Sequence, residues 1–263
     1  MFTPAPPAAS RHVLEVRELT VRYGSHIAVD QVGFHVERGE VVGLLGPNGA
    51  GKTSTLSAIE GLITPAHGTI TVDGADVARQ PIEANARLGV HLQASSFQAE
   101  LSIEQIVRLY AGLYGVRLSH GQITDRMRDI GLAGELGKPF KKLSGGQQQR
   151  LSLFIAVIHQ PSLLLLDEPT AGLDPQSRRQ LWQRVDQFRA DGSGIVLTTH
   201  SMEEVQAVCD RIVIIDHGRV LATGTPADLI AAHRDDRRVR DLAHGEVTLD
   251  DVFIALTGAQ TRD

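Results

Sequence analysis

A chain of 263 residues, 42% hydrophobic and 22% charged, has the make-up of an ordinary globular protein of one large domain or two small ones. A formal net charge of −5 argues against a nucleic-acid-binding surface over much of the molecule, and the single cysteine, Cys209, excludes an intrachain disulfide or a cysteine metal cluster. Eleven histidines show no H-x₃-H or H-E-x-x-H grouping, which leaves zinc chemistry little support, and no apolar run is long enough to cross a bilayer.

Residues 1–10 lack the basic start and apolar centre of a secretory signal and read as a flexible tail. Residues 13–23 and 27–36 alternate apolar with polar side chains about the turn-like Gly24-Ser25, which predicts an antiparallel ribbon. From Glu40 the pattern changes to short, nearly continuous apolar strands between amphipathic helices, the mark of a parallel sheet covered on both faces. Such strands are expected at residues 41–45, 163–166, 194–199 and 211–215. Between about 102 and 160 the spacing of Ile103, Ile106, Val107, Tyr110 and Leu113 is helical, so a helical subdomain is expected inside the α/β core. A mixed-charge stretch at 233–241 reads as a solvated helix or linker, and residues 249–256 as a last short helix.

The first strand runs into Gly46-Pro47-Asn48-Gly49-Ala50-Gly51-Lys52-Thr53, which satisfies G-x-x-x-x-G-K-[ST] in the strand–turn–helix context where that pattern has a mechanism. Glycines let the backbone approach phosphate oxygens, and successive N–H groups at a helix start present positive potential to them. Lys52 would reach the β- and γ-phosphates, and Thr53 would offer its hydroxyl to Mg²⁺. The strand at 163–166 ends in Asp167-Glu168, where a parallel strand delivers side chains to a ligand crevice. Neighbours in an extended chain point to different sides, so Asp167 can hold Mg²⁺ while Glu168 takes a proton from an attacking water. Ser144-Gly145-Gly146 before the helix beginning at Gln147 can be a plain cap or an anion site.

At Leu143-Ser144-Gly145-Gly146-Gln147 the chain resembles the ATP-binding-cassette (ABC) ATPases, whose L-S-G-G-Q signature lies shortly before the acidic strand, as here. The resemblance runs from about Val13 to the end. It implies a P-loop NTPase of the RecA-like, mostly parallel-sheet type with an N-terminal antiparallel β subdomain and an inserted helical subdomain at about 94–160. The ATPase domain would span 11–232, with a short extension at 233–263. It also implies ATP and Mg²⁺ as cofactors. Tyr23 would stack on adenine, and Ser54 follows the phosphate loop. Gln93 would touch Mg²⁺ and the attacking water, and His200 would contact the γ-phosphate and support Glu168. Asp174, in Ala171-Gly172-Leu173-Asp174, would cross to a partner subunit, although its bland reading is a helix cap ahead of Pro175.

In the resembling proteins Ser144 to Gly146 of one copy face the Lys52 loop of another, so the active form is expected to be a homodimer, or a heterodimer with a paralogue. Separate transmembrane permease subunits would hold it at the cytoplasmic face of the plasma membrane. The phrases 89–93, 109–115 and 248–258 are similar to drug and antibiotic exporters of the daunorubicin-resistance type. Importer ATPases and soluble ABC ATPases of DNA repair or translation are the alternatives. The intact Lys52, Asp167, Glu168 and His200 argue against a module that binds without turnover.

Overall fold

The computed structural model describes residues 12–91 and 97–258. β1 (His12–Tyr23) and β2 (His26–Glu37) form the expected antiparallel ribbon, turning at Gly24 with φ of 61°. β3 (Val41–Leu45) leads through the phosphate loop into α1 (Lys52–Ile59). β4 (His67–Val72) and β5 (Ala75–Asp76) return to the ribbon and complete a four-stranded sheet in the order β2-β1-β4-β5. Asp73 and Gly74 join them in a two-residue turn, both with positive φ, which matches the right-handed twist of the paired strands.

α2 (Pro81–Asn85) precedes β6 (Leu88–His91), and the helical insert follows with α3 (Ile103–Leu113), α4 (His120–Asp129) and α5 (Gly145–Ala156). Its separate apolar core joins Ile103, Ile106 and Val107 to Ile123, Met127, Leu151 and Ile155. The chain then alternates β7 (Leu163–Asp167), α6 (Pro175–Ala190), β8 (Gly194–Thr198), α7 (Met202–Val208) and β9 (Arg211–Asp216). β10 (Arg219–Gly224) closes this part, followed by α8 (Pro226–His233), α9 (Arg237–Leu242) and α10 (Leu249–Thr257). The charged stretch read as one solvated helix or linker is thus divided between the end of α8 and α9.

The second sheet runs β10-β9-β3-β8-β7-β6, parallel except at the β9–β10 hairpin. Its strands β3, β7, β8 and β9 are apolar on both faces because both are covered. In β7, Leu163 and Leu165 enter the core shared with the ribbon and α1, and Leu164 and Leu166 enter the core shared with α6 and α7. Complete burial of such a side chain contributes about 1.5–3 kcal/mol. Cys209 packs in the second core, where burial pushes its thiol up to about 12, so it is a small apolar group rather than a reactive one. β3, β7 and β8 are parallel neighbours, and their carboxyl ends open onto one edge of the sheet.

Candidate active site

The loop after β3 is shaped by two glycines that no other residue could replace without displacement. A Cβ on Gly46 would collide with the Ile215 carbonyl oxygen and lie 2.8 Å from Ala50 Cβ. Gly51 has φ of 105°, and its Cβ would sit 2.6 Å from the Ala28 carbonyl oxygen. α1 starts directly after Gly51 with no side-chain cap and no acidic residue in its first turn. By contrast α3, α4, α5, α6, α8 and α10 all have a Ser, Thr or Asp side chain accepting an amide at that end. The first amides of α1 are therefore presented to the cleft, where an anion can take them.

Lys52 arches back over this loop, its Nζ donating to the Gly46 carbonyl at 2.5 Å and the Pro47 carbonyl at 3.1 Å. Burial lowers its pKa, against the opposing charges of Glu168 and Asp167. Around it opens a cleft of about 360 Å³. Asn48, Gly49, Ala50, Gly51, Lys52, Thr53 and Ser54 form one wall, Asp167, Glu168 and His200 another, and Tyr23 and His26 of the ribbon a third. Tyr23 is half exposed at the mouth, its hydroxyl 3.4 Å from Ser54 Oγ, and Thr53 is exposed beside it.

The strand ends between the two acids, a break the sequence conceals. Glu168 does not continue the extended strand but has φ of 48°, the left-handed region a non-glycine residue occupies at a cost of order 1–3 kcal/mol. Thr198 holds the junction: its carbonyl accepts the Glu168 amide at 3.1 Å, and its hydroxyl donates to Asp167 Oδ1. Glu168 Oε1 lies 3.3 Å from His200 Nε2. Burial raises the Glu168 pKa, with Asp167 adding to the rise and the charges of His200 and Lys52 opposing it.

Several supporting groups went unnoticed in the linear sequence. Buried Glu204 accepts from Thr170 Oγ1 at 2.8 Å and Thr199 Oγ1 at 3.1 Å, so it ties the loop carrying Glu168 to the loop carrying His200. Gln149 of α5 donates through Nε2 to the Pro169 carbonyl at 2.5 Å, which joins the helical insert to the acidic loop. Glu60, at the end of α1, is pushed up to about 7 by burial and then by the charge of Asp167. A carboxylate next to a polar signal such as D-E-P is visible in one dimension; partners from distant strands are not.

The remaining candidates lie elsewhere. Gln93 falls outside the described residues. Ser144, Gly145, Gly146 and Gln147 open α5 and are absent from the cleft walls. Within this chain Ser144 and Gln147 make a reciprocal capping box, Ser144 Oγ accepting the Gln147 amide at 3.3 Å and Gln147 Oε1 the Ser144 amide at 2.9 Å. Asp174 likewise caps α6, accepting the Gln176 and Ser177 amides at 3.0 Å and the Ser177 hydroxyl at 2.6 Å.

The family model described as ABC transporter matches residues 29–171. The chain belongs to the ABC transporter family. It is similar to the Nod factor export ATP-binding protein I of Cupriavidus metallidurans, 39% identical over 83% of this chain and 73% of that protein. The linearmycin resistance ATP-binding protein LnrL of Bacillus subtilis is 36% identical over 82% of this chain and 70% of that one. Among solved structures, an ATP-binding subunit of an ABC transporter superposes with a TM-score of 0.80 at 33% identity, covering 93% of this chain and 99% of the other. This ABC protein is therefore a nucleotide-binding ATPase subunit of a transporter, built on the P-loop fold. Among its described residues no helix is long and apolar enough to cross a membrane.

Proposed function

We propose that this ABC ATPase drives an exporter, acting as an ATP-clamped dimer beneath separate membrane-spanning subunits. The observation that carries the proposal is the convergence of Lys52, Asp167, Glu168 and His200 on the uncapped start of α1. The triphosphate lies along the α1 amides with Lys52 leaving the loop carbonyls for the β- and γ-phosphates. Tyr23 stacks on the base. The exposed Thr53 hydroxyl and the Asp167 carboxylate are hard oxygen donors suited to Mg²⁺, which would offset phosphate charge when bound. Glu168 takes the proton of the water attacking the γ-phosphorus, and His200 beside it steadies the developing charge; ADP and phosphate leave.

The α5 start and Asp174 lie outside the cleft of their own chain, which fits their use against a second copy. Mixing Ser144→Arg subunits with Lys52→Ala subunits should then restore hydrolysis, because one composite site per heterodimer keeps both halves. Heterodimers that show no more turnover than either parent would defeat the composite arrangement.

A groove of about 610 Å³ between α2, β6 and the end of α3 offers a seat for the membrane partner. Leu62 and Leu113, each 71% exposed, and Ile82, 82% exposed, form an apolar rim of the kind that marks a protein contact. Export is favoured by the names of the relatives, which concern Nod factor export and linearmycin resistance. The test is co-purification with a polytopic membrane protein whose substrate stimulates ATP hydrolysis. The Ile82→Asp/Leu113→Asp variant should lose that partner and that stimulation while keeping basal hydrolysis; an undiminished complex would remove the groove from the proposal.

A further inference from the structure

Far from the cleft, the open end of the β1–β2 ribbon brings together side chains that the sequence holds apart. In the antiparallel register His12, which opens β1, stands opposite Glu37, which ends β2. His35 lies two residues before Glu37 and so projects from the same face of its strand. One potential donor atom from each of the three lies within 4.8 Å of the other two. The imidazole centroids of His12 and His35 are 4.3 Å apart, their planes tilted by 46°.

We propose that His12, His35 and Glu37 form a binding site for a divalent transition-metal ion of the zinc or cobalt type. Two imidazoles and a carboxylate are the donor set of that ion class, and they leave a coordination position for water. Metal–ligand bonds of about 2.0–2.2 Å require the donors to draw together by on the order of 1 Å, within the reach of χ rotations on half-buried side chains. The nearby guanidinium of Arg211 would repel a cation, but both its charge and its fork are engaged. Its Nε donates to Glu40 Oε1 at 2.8 Å and its other nitrogen to Glu40 Oε2 at 3.0 Å and the His35 carbonyl at 2.7 Å. The same bonds fix the β2 backbone beneath the site. The ion would staple the first residue of β1 to the last of β2, at the end of the ribbon opposite Tyr23. No part of this site depends on the nucleotide reading.

The experiment is titration of the untagged, EDTA-stripped chain with Co²⁺, read by its visible d–d absorption, and displacement by Zn²⁺. One equivalent should bind with a spectrum of mixed nitrogen and oxygen ligation, and Zn²⁺ should raise the unfolding midpoint by several degrees. His35→Gln and Glu37→Gln should each weaken Co²⁺ at least 10-fold and abolish the Zn²⁺-dependent shift, with metal-free unfolding and Mg-ATP hydrolysis at the level of the parent chain. Asp167→Asn should retain the Co²⁺ spectrum, which separates this site from the phosphate cleft. Absence of micromolar binding, equal binding in His35→Gln and Glu37→Gln, or loss of the spectrum in Asp167→Asn would each overturn the proposal.

Discussion

Replacing Glu168 by glutamine should leave ATP binding near its original affinity, slow turnover roughly 100-fold or more, and make the ATP-bound dimer long-lived enough to isolate by size exclusion. A factor of 100 corresponds to about 2.7 kcal/mol of barrier, well within what a positioned general base supplies. The substitution keeps the shape of the side chain and its left-handed backbone, so it removes proton acceptance and little else. The pH dependence provides a second reading. Burial raises the Glu168 pKa above the usual carboxylate range, so the base form is lost on acidification at a higher pH than for an exposed glutamate. The acid limb of kcat should therefore lie above the ordinary glutamate range and vanish in Glu168→Gln. Wild-type turnover in that variant would sink the assignment of the base.

Lys52→Ala should weaken Mg-ATP binding and reduce kcat/KM by roughly 100-fold or more, since loss of a single preorganised donor at a charged transition state costs that much. The variant also frees the Gly46 and Pro47 carbonyls that Lys52 now holds, so the loop loses its internal clasp as well as its cation. Isothermal titration with a non-hydrolysable ATP analogue reports the loss in binding, and single-turnover hydrolysis reports the loss in the chemical step. Normal affinity together with normal hydrolysis would refute a phosphate role for Lys52.

The ribbon, the helical insert and the strands at β3, β7, β8 and β9 were legible because each is written in local periodicity. The cleft was legible because glycine spacing and a strand ending in two acids encode it over a few residues. Shorter signals were overlooked. Asp73-Gly74 and His217-Gly218 turn β4 into β5 and β9 into β10 through paired positive-φ residues, and of the strands they lead into, β5 is too short and β10 too mixed to announce itself. Thr198 and Glu204 were hidden for a different reason, being partners of groups on other strands and loops. Extended-chain alternation assumed that Glu168 continues the strand, whereas its positive φ turns the backbone away from the extended path. His12 and His35 show no metal spacing along the chain because strand pairing, not sequence proximity, unites them.

The bond from Gln149 to the Pro169 carbonyl makes α5 a tiller for the acidic loop. Pro169 follows Glu168 directly, so a swing of the helical layer against the sheet pulls on the residue next to the base. With the proposed membrane partner gripping the far side of those helices, a loose seat would idle the site and a firm one would engage it.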